Sequence, residues 1–228
     1  MLGREIVSKD VLYEINRDDI RENFNKYTKK AFQMLPELES PRILDIGCGS
    51  GVPTIELAKL SNGEIIGIDT DQSLLDELNR KIEEEGLKHR MKTIKCSLFE
   101  IDFPDASFDI IWAEGVAFVD FKKRLKMWKR LLKTNGFLVF HDNNKNISKK
   151  INFITSIGYK LVNHFLLPEN SWWKEYYHPL ESRLTKLRSK YSNDPEALKI
   201  IEQHQNEVNL VKKNPKNAGS VFYIMQKQ

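Results

Sequence analysis

Cysteine, long apolar runs and an excess of either charge are all missing from this chain. It has only Cys48 and Cys96 in 228 residues. They are too few to staple a fold and lack the spaced Cys or His neighbours of a zinc site, so both read as small buried residues in a reducing compartment. No apolar stretch reaches bilayer-spanning length and the N-terminus has no signal-peptide pattern; a cytoplasmic protein without membrane insertion is expected. Lys and Arg number 36 against 32 Asp and Glu, a net charge of +4 with the signs mixed. That balance makes nucleic acid an unfavoured partner. No repeat, low-complexity tract or linker breaks the chain. With 40% hydrophobic residues, one large domain over 1–228 is expected, including an N-terminal helical segment over 1–38.

What is present is concentrated in Ile43-Leu44-Asp45-Ile46-Gly47-Cys48-Gly49-Ser50-Gly51, a hydrophobic strand with an acid near its end that runs into alternating glycines. Glycine permits positive φ and lets backbone approach a ligand closely. Pro53 follows where a helix should start. The amino end of that helix, Thr54 to Leu60, would then face the loop with unpaired amides. A second strand, Glu64 to Ile68, ends in Asp69. An acid there can accept both hydroxyls of a ribose, as in dinucleotide sites, while Asp69, Thr70 and Asp71 also offer an N-cap to the helix Ser73 to Glu85. The dinucleotide pattern G-x-G-x-x-G requires glycine at position 52, where Val52 stands, so a nicotinamide cofactor is disfavoured.

The spacing D-x-G-x-G-x-G resembles the first motif of the class I S-adenosylmethionine-dependent methyltransferases. The likeness runs from about Arg42 to Asp142 and takes in Ser107-Phe108-Asp109-Ile110-Ile111-Trp112 and Leu131 to Val139. Apolar runs near 42–46, 64–68, 91–95, 107–113 and 136–141, separated by amphipathic helices such as Phe121 to Leu132 with Gly136 at its end, predict a parallel sheet covered on both faces. Tyr159 to Leu167 and Val221 to Gln226 are placed like the family's final antiparallel pair. The resemblance therefore implies a doubly wound, mostly parallel seven-stranded sheet of order 3-2-1-4-5-7-6, Rossmann-like, with the last strand antiparallel. It also implies S-adenosylmethionine as cosubstrate. A helix from about Arg17 to Leu35 precedes the sheet.

Carried onto this sequence, the family's roles assign Asp45 to the loop and the methionine ammonium, Gly47 and Gly49 to backbone beside the methionine portion, and Asp69 to the ribose. Ser97 and Leu98 fall at the adenine position, where the family usually has an acid and this chain has a hydroxyl. Glu114, ending the fourth strand, lies beside the methionine end. Glu114 and His141 are the candidate bases for methyl transfer, which needs an aligned nucleophile, excluded water and no triad. Glu114, Asp142 and Asn143 also resemble the oxygen ligands of catechol-type metal-dependent relatives, but an Asp-Asn-Asn loop is ordinary turn chemistry and no metal is expected.

Between the last two strands lies a long insertion, 168–215, expected to be functional because of its length. It opens with a cluster containing Trp172, Trp173, Tyr176 and Tyr177, which reads either as an acceptor pocket or as an anchor for the insertion. Helices over Leu180 to Tyr191 and Pro195 to Lys212 follow. Leu184, Leu187 and Tyr191, then Leu198, Ile201 and Val208, are spaced to bury one stripe. A small-molecule methyl acceptor is the first reading. An RNA or protein methyltransferase landing on Lys186, Arg188, Lys190, Lys212 and Lys213 is the second, and a non-catalytic cofactor-binding module the third.

Overall fold

The computed structural model of the chain describes residues 10–97, 99–116 and 121–228. These divide into two compact units: residues 25–167 with 220–228, and residues up to 24 with 168–219.

The first unit holds a seven-stranded sheet, β1 (Ile43–Ile46), β2 (Ile65–Asp69), β3 (Met91–Lys95), β4 (Phe108–Ala113), β5 (Leu132–Asn143), β6 (Tyr159–Leu166) and β7 (Ser220–Lys227). Their order is β3-β2-β1-β4-β5-β7-β6, as expected. β1 to β5 pair in parallel, whereas β7 runs antiparallel to both β5 and β6. Every side chain of β1 is buried, as a central parallel strand requires. Leu44, Ile46, Ile66, Ile68, Ile111, Ala113, Leu138, Phe140 and Tyr223 make one face of the sheet and form a core with Leu125, Trp128 and Leu131 of helix Phe121–Leu131 and Ile154 of helix Ile147–Ser156. The opposite face carries helices Asn25–Phe32, Val52–Leu60 and Gln72–Glu84. It is marked by Thr28 bonded to Glu114, Thr54 bonded to Asp45 and Leu78 lying against Gly67.

Three sequence expectations are corrected. The helix expected from Arg17 to Leu35 is broken into Arg17–Arg21, a 3₁₀ turn Glu22–Phe24 and Asn25–Phe32. Its apolar stripe serves two cores: Ile20 and Phe24 are buried in one unit, Tyr27, Thr28 and Ala31 in the other, and the tighter turn sits between them. No helix separates β3 from β4 among the described residues. There the chain turns and buries Ile101, while Phe103 meets Phe108 edge-on at 5.0 Å. Finally, Gly136 does not end the preceding helix, which stops at Leu131 and runs directly into β5. The left-handed residue is Asn135, with φ 61°. Gly136 is needed for space instead, because a Cβ would stand 2.9 Å from the Lys133 carbonyl oxygen.

The second unit is helical. It contains a helical stretch over 10–15, helix Arg17–Arg21, a π-helical turn Trp173–Tyr177, and helices His178–Lys190 and Pro195–Lys213. Asp194 caps the last of these, accepting from the amides of Glu196 and Ala197, with Pro195 in its first turn as expected. Val11, Ile15, Ile20, Phe24, Leu180, Leu184, Leu187, Ile201 and Val208 are among its buried apolar residues. Arg17 ties the ends of this unit together, donating from Nε to the Tyr176 hydroxyl at 2.6 Å and from both terminal nitrogens to Glu207 at 2.9 Å.

Candidate functional site

The carboxyl ends of β1, β2 and β4 frame a cleft of about 180 Å³ lined by Gly47, Ile68, Asp69, Thr70, Cys96, Gly115 and Val116. Open α/β sheets place ligands at such edges. The loop after β1 is shaped by three left-handed glycines, Gly47, Gly49 and Gly51, with φ of 71°, 53° and 84°. At Gly47 a Cβ would approach Val116 Cγ2 to 2.6 Å, so backbone there is pressed against the cleft wall. The amides of Gly47 and Cys48 both donate to the Ile68 carbonyl, at 2.8 and 3.1 Å, which fixes the loop to β2. Gly51 precedes helix Val52–Leu60, with Pro53 in its first turn.

Three carboxylates surround this loop. Asp69 accepts from the Gly49 amide at 2.9 Å and from the Asp71 amide at 3.0 Å. Each of its oxygens has a second lone pair for a further donor. The N-cap is Asp71, which accepts from Ser73, so Asp69 is not spent on capping. Asp45 is 2% exposed and accepts from the Thr54 hydroxyl at 2.7 Å. Its carboxyl is pushed up to about 7 by burial, with the charges of Glu114 and Asp69 adding to the shift and the Thr54 bond opposing it. Glu114 is 6% exposed. Both its oxygens accept from the Thr28 hydroxyl, at 3.1 and 2.9 Å, and Oε2 accepts from Trp112 Nε1 at 3.1 Å.

The buried Asp45 makes stability depend on pH in a definite sense. Between its ordinary value of 3.8 and about 7, the unfolded chain has lost this proton while the folded chain keeps it. Stability therefore falls as pH rises through that window, by up to about 4 kcal/mol for this group. Urea unfolding across pH 4 to 8 should show a shallower decline for Asp45→Asn than for the wild type; parallel profiles would contradict the assignment.

The other expected residues are placed as follows. Ser97 follows Cys96 on the cleft's rim, and its hydroxyl accepts from the Phe99 amide at 3.3 Å; Leu98 lies outside the described residues. His141 is buried on β5 with its ring 4.7 Å from that of Phe222. Asp142 pairs with Lys150, and Asn143 accepts from Lys150 and from the Lys145 amide. These two side chains do ordinary turn work, and no group of three or more metal-ligating residues is found among the described residues. Both cysteines are free, and burial pushes the Cys48 thiol up, away from a reactive thiolate.

Trp172, Trp173, Tyr176 and Tyr177 come together on one π-helical turn inside the helical unit. Trp172 lies 4.5 Å from Phe24 and 5.8 Å from Tyr176, and the Tyr177 hydroxyl donates to Glu207. Three of the four thus anchor that unit. The ring of Trp173 is met by His178 at 6.1 Å and by Lys212 at 5.6 Å. Of the basic run proposed as a landing surface, Arg188, Lys190 and Lys212 pair with Glu202, Glu14 and Glu181.

Sequence reasoning missed Thr28. Nothing in Asn25 to Phe32 marks a threonine as special, because its partner is 86 residues away.

Comparison with known proteins agrees with this geometry. Residues 43–136 match the family model of the methyltransferase domain. Sterol 24-C-methyltransferase erg6 of Aspergillus fumigatus is 33% identical over 75 residues, 33% of this chain and 20% of that protein. The chain spans 20 to 58% of the length of the first curated relatives that it matches. Among solved structures, a methyltransferase of Geobacter sulfurreducens in complex with S-adenosylhomocysteine superposes with a TM-score of 0.73 at 15% identity, over 89% of this chain and 91% of the other. The cyclase SpnF gives the same score at 17% identity, over 89% and 80%. Among the described residues no helix is long and apolar enough to cross a membrane. The matched sequence, the strand order and the glycine loop with its acids together make residues 43–136 similar to the methyltransferase domain of the class I S-adenosylmethionine-dependent enzymes.

Proposed function

We propose that the protein transfers a methyl group from S-adenosylmethionine to a small molecule. The observation that carries this reading is the ring of Asp45, Asp69 and Glu114 around a glycine loop that has no room for a side chain at Gly47 or Gly51. A dinucleotide would bring its anionic diphosphate against Asp69 and Glu114, joined by Asp45 above its raised value of about 7, whereas a cofactor with an ammonium and a sulfonium meets opposite charge. The fold alone does not separate the two cofactors; the charge does.

Within this reading Asp69 accepts the ribose hydroxyls, Asp45 steadies the loop and faces the ammonium, and Gly47 and Gly49 let backbone pass beside the methionine portion. Ser97 and Leu98 stand at the adenine end. When bound, the cofactor supplies a methyl group already activated by its positive sulfur. The chain supplies alignment and a dry site. Glu114, held by two donors, suits a fixed counter-charge better than a mobile proton carrier. His141 is then the better candidate to take a proton from the acceptor. A small acceptor is supported by the sterol enzyme's likeness and by the ion pairs that quench the Lys186 to Lys213 run.

Transfer of a labelled methyl group to a panel of small metabolites tests the activity. Trp173→Ala in the same assay should lower turnover while leaving cofactor affinity unchanged if this ring shapes the acceptor site. The fold is shared with a cyclase, SpnF, so the second reading is a module that binds the cofactor without methyl transfer. Binding with no labelled product from any acceptor would support it.

A further inference from the structure

The modest net charge conceals a steep asymmetry. Residues 120–160 contain eleven Lys and Arg against two Asp, a net of +9, so the remaining chain carries −5. This segment builds helices Phe121–Leu131 and Ile147–Ser156, which run side by side on one face of the sheet. Lys122 sits 5.1 Å from the Phe153 ring, and Lys129 donates to the Ile157 carbonyl at 2.9 Å, joining the two helices along their length. Lys122, Lys123, Lys126, Lys145 and Lys149 are exposed, and none has an acidic partner among the described residues; Lys160, between Tyr159 and Leu161 of the core, falls on the other side of the sheet. The segment's other cations are spent: Lys133 on Asp109, Lys150 on Asp142 and Arg130 on Asp105, while Arg124 is 3% exposed.

We propose that this face docks on anionic phospholipid headgroups and holds the protein at a membrane surface without insertion. The charge calls for a polyanion, and the side-chain types choose among polyanions. All five free cations of this face are lysines, compact point charges that suit a diffuse, laterally mobile anionic surface. Nucleic-acid backbones and bases are read chiefly by arginine forks and exposed stacking rings. Here both arginines are engaged, Trp128 is fully buried and Phe153 lies beneath Lys122. The exposed apolar groups at the borders of the face also fit a headgroup layer. Phe99 is 47% exposed, with Lys123 and Arg124 over its ring at 5.9 and 5.0 Å, and Val162, on edge strand β6, is 39% exposed. Phe99 follows Cys96 of the cofactor cleft by three residues, so docking would bring the rim of that cleft toward the lipid.

The test is vesicle flotation with the full chain, which does not depend on the methyltransferase reading. Wild type should float with phosphatidylserine-containing vesicles, not with pure phosphatidylcholine, and be released by high salt. Each lysine at such a surface contributes about 1 kcal/mol, about fivefold, so replacing Lys122, Lys126, Lys145 and Lys149 by Gln should weaken binding at least about 50-fold. Replacing the exposed Lys174, Lys186, Lys199 and Lys213 of the helical unit by Gln removes the same charge and should leave flotation nearly unchanged. Equal loss in both variants, no preference for phosphatidylserine, or tighter binding to an RNA oligonucleotide than to the vesicles would overturn the proposal.

Discussion

Gly47→Ala is expected to destabilise the sheet unit by about 2 to 5 kcal/mol and to weaken cofactor binding at least tenfold. Two terms add. A side chain at φ 71° costs about 1 to 2 kcal/mol for the left-handed backbone. The new Cβ would also stand 2.6 Å from Val116 Cγ2, an overpacking worth about 1 to 3 kcal/mol. Either Val116 or the loop must give way, and both line the cleft. Gly86→Ala is the control. Its φ is 69°, yet nothing lies within 4 Å of its added Cβ, so it carries the backbone strain alone, far from the site. Melting measured by circular dichroism should fall for both variants and affinity only for Gly47→Ala. Equal affinity in the two would mean that the loop does not contact the ligand.

Asp69→Ala is expected to weaken binding of the demethylated cofactor by roughly 1.5 to 3 kcal/mol, about 10- to 150-fold, the range for hydrogen bonds to a charged group. The carboxylate has a double task in this site. It buttresses the loop through the Gly49 amide and, in the proposed function, offers its remaining lone pairs to the ribose. Asp69→Asn keeps one acceptor and should fall between the alanine variant and wild type. Because Asp71 is the helix cap, neither change should lower the melting temperature by more than a few degrees. Unchanged affinity in Asp69→Ala would remove the residue from the cofactor site.

Much of this was legible before any coordinates, and for identifiable reasons. β1 and β2 carry continuous apolar runs ended by acids, and the glycines after β1 can be explained only by backbone geometry or close approach. Local chemistry of this kind survives folding. Thr28 was hidden because its meaning lies in a partner 86 residues away, and the broken N-terminal helix because one stripe had to satisfy two cores. Gly136 was misjudged for a related reason: its role is steric, set by the Lys133 carbonyl at 2.9 Å and, at 3.1 Å, by the Asp109 carbonyl of a neighbouring strand. The basic face was present in the composition but diluted by averaging over 228 residues. For Trp172, Tyr176 and Tyr177 the sequence left pocket and anchor open, because their partners Phe24, Arg17 and Glu207 in the helical unit lie far from them along the chain.

The central claim is that the loop after β1 and the acids around it select the ammonium-bearing amino-acid tail of an S-adenosyl cofactor over an anionic dinucleotide. Calorimetric titration of the full chain with S-adenosylhomocysteine and, separately, with NAD tests it most directly. Micromolar-range binding of the first, roughly 7 to 8 kcal/mol, with no measurable heat from the second, is the predicted result. Binding of NAD as tight as or tighter than S-adenosylhomocysteine, or no binding of S-adenosylhomocysteine at all, would contradict it.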